Sequence, residues 1–220
     1  MKKQKKPKKQ KERPFRDSLI QNIFDLVKLN LIFVVCCLSV IGIPAGIHAM
    51  TTVNLQIKKG DTLYVVGDFL SVLRRDFVKS TLCGLLILAA ALLFGFIFWF
   101  YATMQAQSGL LLTVLRLLTL TPLLIVYCAS CYLWVMNIVI DLPLLSRLRN
   151  SVLLSLICLK ESAICILVGV LLCVVAYFGI PYTMPFLLVV GLAFWNYTCV
   201  YYVHPAIEKY VAVPPEEDNP

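Results

Sequence analysis

The chain has 220 residues, 60% of them hydrophobic, and a formal net charge of +8. A mean hydropathy of +0.85 excludes a water-soluble globular domain and leaves one polytopic, all-α membrane domain. The charge is unevenly placed: eight of the twenty Lys and Arg fall within the first thirteen residues, and long stretches carry none.

Residues 1–14 have no apolar face and are expected to form a disordered, Lys-rich cytoplasmic tail. The positive charges suit a bilayer surface with anionic headgroups. No Arg-rich or aromatic reading surface accompanies them, so nucleic acid is not an expected partner. From Phe15, apolar residues recur at helical spacing through Leu19, Ile20, Ile23, Phe24 and Val27. This pattern predicts a short amphipathic helix in the headgroup plane.

Asn30 opens an apolar segment that Gly42, Pro44 and Gly46 interrupt. Leu31–Ile43 is about 20 Å of helix at about 1.5 Å per residue, too short for a hydrocarbon core of about 30 Å. The whole of Leu31–Val53 either spans once as a kinked helix or dips in and returns. Lys58-Lys59-Gly60-Asp61 marks a turn. Asp68 is expected to cap a second amphipathic stretch with Phe69, Leu70, Leu73 and Phe77 on one side and Arg74, Arg75, Asp76 and Lys79 near the other.

Leu82–Tyr101 reads as an uncharged span, followed by an uncharged exit at 102–109. Leu110–Ile140 is long enough for a tilted or bent span, with Pro122 as the bend and Arg116 snorkelling to nearby headgroups. Asn137 and Asp141, four apart, are expected to share a face. Pro143 and Arg147 begin another basic amphipathic stretch running to Lys160. Ala163–Phe178 spans, 179–185 turns, and Phe186–Tyr202 spans back, with Trp195, Tyr197, Tyr201 and Tyr202 as an interfacial belt. Residues 15–210 thus form one helical membrane domain, and 211–220 an acidic, disordered tail.

Loop charge predicts orientation. The basic loops around Lys58–Lys79 and Arg147–Lys160 face the cytoplasm, together with both termini, and the uncharged turns face out. Both ends of Leu31–Val53 then want the same side, which favours a re-entrant pair of half-helices beside four full spans. Five ordinary spans, with one loop breaking the charge rule, is the alternative. Basic helix, span, uncharged turn and span occurs twice, over 68–137 and 147–202, as a faint internal repeat.

The sequence shows no nucleotide loop, zinc pattern or nucleophile elbow. His48 and His204 lie far apart, and the carboxylates sit at span ends, so an enzyme is not expected, nor a cofactor or metal. All nine cysteines lie in or beside apolar runs and are expected to be reduced packing residues, Cys128 and Cys131 included. Polar or helix-breaking groups at membrane depth are the better candidates: Asn30, Pro44, Asn137, Asp141, Pro143, Arg147 and Asn196. They act either as helix-to-helix contacts or at a partner surface, with Phe69, Arg75 and Phe77 on the basic stretch beside them.

Asn30 with Ile43-Pro44-Ala45 and the Lys-Lys-Gly-Asp turn is similar to the opening of the YesL-like bacterial membrane proteins. Asp68-Phe69 through Lys79 resembles their Phe-Trp…Asn-Phe-Lys segment. Leu142–Arg147 resembles their Phe-Pro-Leu-Leu-Ala-Arg, and His204–Tyr210 their closing Val-Phe-Glu-Lys-Tyr. Phe33 stands where Trp is usual, and Gly46-Ile47-His48 where Thr-Ala-Ala is. The resemblance implies a bacterial plasma-membrane protein of unknown activity that accompanies carbohydrate uptake, with ABC transporter subunits as possible partners. An independent small-solute channel or carrier, or a structural membrane scaffold, remains the alternative.

Overall fold

The computed structural model describes residues 15–61, 63–103, 110–179 and 182–212, and every element among them is helical. The expectations for the Lys-rich tail, for most of the exit at 102–109 and for the acidic tail from 213 onward lie outside the described residues.

Helix α1 (Phe15–Gln21) leads through Asn22 into α2 (Ile23–Cys37). The expected break between amphipathic helix and apolar segment is absent, because no Gly or Pro interrupts residues 23–37. At Leu38–Gly42 the chain reverses through a single 3₁₀ turn and continues as α3 (Ile43–Lys59). Pro44 stands in the first turn of α3, where its missing N–H costs nothing. The Cys36 thiol donates to the Gly42 carbonyl across the reversal, at 3.5 Å. A β-carbon on Gly46 would come within 3.1 Å of both the Phe33 ring and Cys36 Sγ, so glycine lets α2 and α3 lie against each other. Leu26, Leu29 and Phe33 share one buried cluster with Ala49, Met50, Val53 and Ile57. The segment is therefore an antiparallel hairpin with both ends at the same end of the bundle.

The α3 helix stops at Gly60, which takes φ 76° and lets its own N–H and that of Asp61 close on the Gln56 carbonyl. Helix α4 (Val65–Arg75) packs back on the hairpin, and α5 (Phe77–Thr103) follows. Helix α6 (Leu110–Val139) returns beside α5, and Arg116 Nε donates to the Tyr101 carbonyl at 3.0 Å. Helix α7 (Leu144–Ile157) crosses to α8 (Leu159–Gly179). The last run comprises α9 (Thr183–Phe186), a π-turn over Leu187–Gly191, α10 (Leu192–Ile207) and a closing π-turn over Glu208–Ala212.

Five helical stretches among the described residues are long and apolar enough to cross a membrane: Val40–Lys59, Phe77–Thr103, Thr113–Val139, Leu159–Gly179 and Leu187–Val211. The first differs from the others in placement. Its apolar window is 67% buried inside the protein, against 11% for α5 and for α8. Its leading residues Val40, Ile41 and Pro44 line a cavity together with Gly84, Leu88 and Ala91, in the first half of α5. The remaining twelve residues of α5, Leu92–Thr103, extend about 18 Å past that level. The architecture is four full spans and one hairpin that stops part-way.

Helix α10 is the centre of the bundle. Ala193 and Tyr197 pack into the hairpin cluster with Phe69, while Cys199, Val200 and Val203 pack into a second cluster with Tyr132, Met136 and Leu154. Trp195 and Tyr197 are accordingly not belt residues. Trp195 Nε1 donates to Tyr127 Oη at 3.1 Å, and Tyr197 is fully buried under Phe15.

Other expectations are corrected by where helices end. Asp68 does not stand before α4 as its N-cap; it lies inside the first turn and accepts the Tyr64 N–H from there, at 3.0 Å. The buried face of α4 is Val65, Phe69 and Val72, while Leu70 is exposed. Phe77 belongs to the next helix, beyond a break at Asp76. Helix α6 stops at Val139, four residues before Pro143, so Asp141 is exposed outside it and does not share the buried face of Asn137.

Candidate functional site

Two buried polar seams, a short charged chain and two adjoining apolar clefts are the features that could carry a function. The first seam ties the hairpin to the last run. A π-turn leaves carbonyls without their usual partner four residues on, and such groups are costly at membrane depth. Asn30, fully buried on α2, supplies the replacement. Its Nδ2 donates to the carbonyls of Leu187 and Leu188 at 3.2 and 2.6 Å, and its Oδ1 accepts the Ala193 N–H at 2.7 Å. One turn further, Asn54 Nδ2 donates to Asn196 Oδ1 at 2.8 Å, and Asn196 Nδ2 donates to Thr51 Oγ1 at 3.1 Å. Lys58 extends the same stripe, donating to the Tyr201 carbonyl at 3.3 Å.

The second seam joins α5, α6 and α7. Arg147 is 4% exposed, and its guanidinium donates to Asn137 Oδ1. No carboxylate lies within ion-pair distance of it among the described residues. Arg147 Nε and Asn137 Nδ2 have no hydrogen-bond partner. The Cys83 thiol approaches Asn137 Oδ1 from α5 at 4.0 Å. Pro143 is exposed at the start of α7, with extended ψ of 149°. The helix that follows is turned inside out: Arg147, Ser151 and Ser155 face inward, and Leu145, Leu153 and Leu156 face out.

A charged chain lies where α4 meets α5. Arg75 Nη2 stands 2.9 Å from Asp76 Oδ2, and His48 Nε2 stands 3.5 Å from the same oxygen. Partial burial pushes the Asp76 carboxyl up, but the hydrogen bond and charge of Arg75 outweigh it and hold the group below its ordinary range.

The cleft has a volume of about 620 Å³ and lies between the hairpin tip, α5, α6 and α10. Its walls are mainly apolar, with Thr51, Thr81, Ser130 and Asn196 as polar points. A second cleft of about 810 Å³ shares Ile87, Ala91, Ser130 and Trp195 with it and continues between α5, α6 and α8.

Among the residues singled out from sequence, Asn30 and Asn196 fall on the first seam, Asn137 and Arg147 on the second, and Pro44 lines the cleft. Phe69 is core, and Arg75 is exposed beside Asp76. Thr51 and Asn54 were missed. Their signal was the Thr51–Asn54–Lys58 stripe, at spacings of three and four on one helix face.

Neither the curated proteins nor the solved structures gave a match to the chain. The family described as "Protein of unknown function, DUF624" matches over residues 26–99, which hold the hairpin, α4 and most of α5. That match contains the first two stretches of the YesL-like resemblance and is consistent with it, and it places the candidate hairpin inside a domain of unknown function.

Proposed function

We propose that this multi-pass membrane protein is a non-catalytic accessory component that docks to another membrane protein. The YesL-like resemblance favours the transmembrane subunits of an ABC-type sugar importer, in a bacterial plasma membrane, as the partner. One observation carries the reading. The buried side chains of the two seams serve contacts within the chain, whereas α5 and α8 present apolar surface with 11% of their windows buried. A carrier needs polar or ionisable groups at mid-depth on several spans. Leu82–Phe100 and Ala163–Phe178 contain no charged residue.

The test is purification of the full chain in mild detergent after in-membrane cross-linking, with sugar uptake measured in cells lacking the protein. Recovery of importer subunits, with uptake reduced in the deletion strain, is the expected result. Recovery of the protein alone, with solute flux in proteoliposomes, would overturn it in favour of a carrier.

A further inference from the structure

Three helices that are far apart in sequence each bring one thiol to the same place. Cys131 on α6, Cys165 on α8 and Cys199 on α10 are all buried, and their Sγ atoms lie within 4.8 Å of one another. All three are free. The surrounding backbone is tied down: Tyr127 Oη donates to the Cys165 carbonyl at 2.9 Å and is itself held by Trp195 Nε1. Such outer contacts fix ligand orientation at metal sites. Cys131 and Cys199 also line the 620 Å³ cleft.

We infer that Cys131, Cys165 and Cys199 form a three-sulfur site for a thiophilic centre, bound as a trivalent metalloid. A sulfur bond of about 2.3 Å sets three sulfurs around a trigonal centre about 4 Å apart or less, so modest side-chain adjustment closes the group. The donor set is soft and contains no imidazole or carboxylate. Charge then selects among soft centres. The thiols share their cluster with Leu55, Val135, Val200 and Val203, and a net charge created there would be costly. Cu(I) or Zn(II) on three thiolates leaves an anion. Arsenite does not: As(OH)₃ plus three thiols gives As(SR)₃ plus three waters, with each thiol proton leaving on a hydroxide. Nothing is oxidised or reduced, and reactant and product are both neutral. This inference is independent of the accessory reading above.

The experiment uses the full chain in detergent, reduced and anaerobic, with arsenite as the probe and Cu(I) as a parallel arm. One arsenic per chain, accompanied by loss of three protons in native mass spectrometry and by three sulfur neighbours in X-ray absorption, is expected. Cys131→Ser, Cys165→Ser and Cys199→Ser should each weaken binding by more than the roughly 10–100-fold that an outer-shell change costs. Cys36→Ser, Cys128→Ser and Cys173→Ser should leave it unchanged. Thermal unfolding of each variant separates lost binding from lost fold, and the spectroscopic count of sulfurs on the wild-type chain needs no variant. Absence of stoichiometric arsenic, or a sulfur count other than three, would overturn the site. Tight three-sulfur Cu(I) binding without arsenite binding would overturn the metalloid assignment.

Discussion

The ring of Pro44 lies directly against the bare Cα of Gly84: a β-carbon there would sit 2.3 Å from Pro44 Cβ and 2.7 Å from its Cγ. A pyrrolidine ring has no rotamer by which to retreat, so the contact sets how closely the hairpin tip approaches α5. Gly84→Ala should therefore destabilise by about 1–3 kcal/mol, the usual cost of overpacking. Pairing it with Pro44→Gly, which removes both atoms, should return part of that loss. Thermal unfolding in detergent checks both, and an unchanged melting temperature for Gly84→Ala would contradict the packing.

Asn30→Leu should remove all three hydrogen bonds to the π-turn while keeping the volume. Leaving buried groups unpaired costs about 1–3 kcal/mol each in water-soluble cores, but membrane contacts average less, so a total of about 1–3 kcal/mol is expected. Hydrogen exchange should rise at Leu192 and Ala193 ahead of the rest of α10.

The Arg147–Asn137 pair should behave asymmetrically. Asn137→Leu strips a buried guanidinium of its hydrogen bond and should cost about 3 kcal/mol or more, as when one partner of a buried pair is deleted. Arg147→Met removes the charge itself and should cost less. The double variant should be more stable than Asn137→Leu alone, which a double-mutant cycle measures directly.

Stability should fall in acid through Asp76. Its folded-state pKa lies below the ordinary value, so the unfolded chain takes up the proton first as pH drops. The contribution is present above about pH 4 and disappears as pH falls through the folded value. Asp76→Asn should flatten that part of the unfolding profile, and an identical acid limb in wild type and variant would remove Asp76 from the account.

Sidedness follows from the hairpin. Cysteines placed at Lys28 and at Gly60, in a background lacking the nine native ones, should label from the same side as each other. One at Trp99, near the far end of α5, should label from the opposite side. Labelling of Lys28 and Gly60 from opposite sides would restore a single crossing.

The hairpin was legible because Gly42, Pro44 and Gly46 break an apolar run whose flanks carry like charge. Asn30 was legible because an amide at membrane depth demands a partner, although nothing local named the π-turn as that partner. The centrality of α10 was not legible. Its window is less apolar than those of α5 and α8, with mean hydropathy 1.3 against 2.6 and 2.5, but its aromatic residues at 195–202 read as a surface belt when Tyr197 is core and Trp195 packs half-buried against the core. For Arg147 the sequence left a helix-to-helix contact and a partner surface both open; the inward turn of α7 buries it against Asn137, and only the pairing of α6 with α7 reveals that. The three thiols lie 34 residues apart along the chain, on three helices, and no spacing rule joins them.

The partners of Asn30 are encoded 157 to 163 residues after it. At about 5–20 residues per second, a ribosome takes on the order of 10–30 s to reach them. Throughout that interval the first hairpin has its polar stripe made and its counterpart unsynthesised. Asn30 and Asn54 must meanwhile rest against water, headgroups or the insertion machinery, whereas the Thr51 hydroxyl already donates to the Ile47 carbonyl within α3. The α2–α3 hairpin, made well before α10, therefore waits for its polar partners, and a chain truncated before α10 should leave it as a recognisable target for membrane quality control.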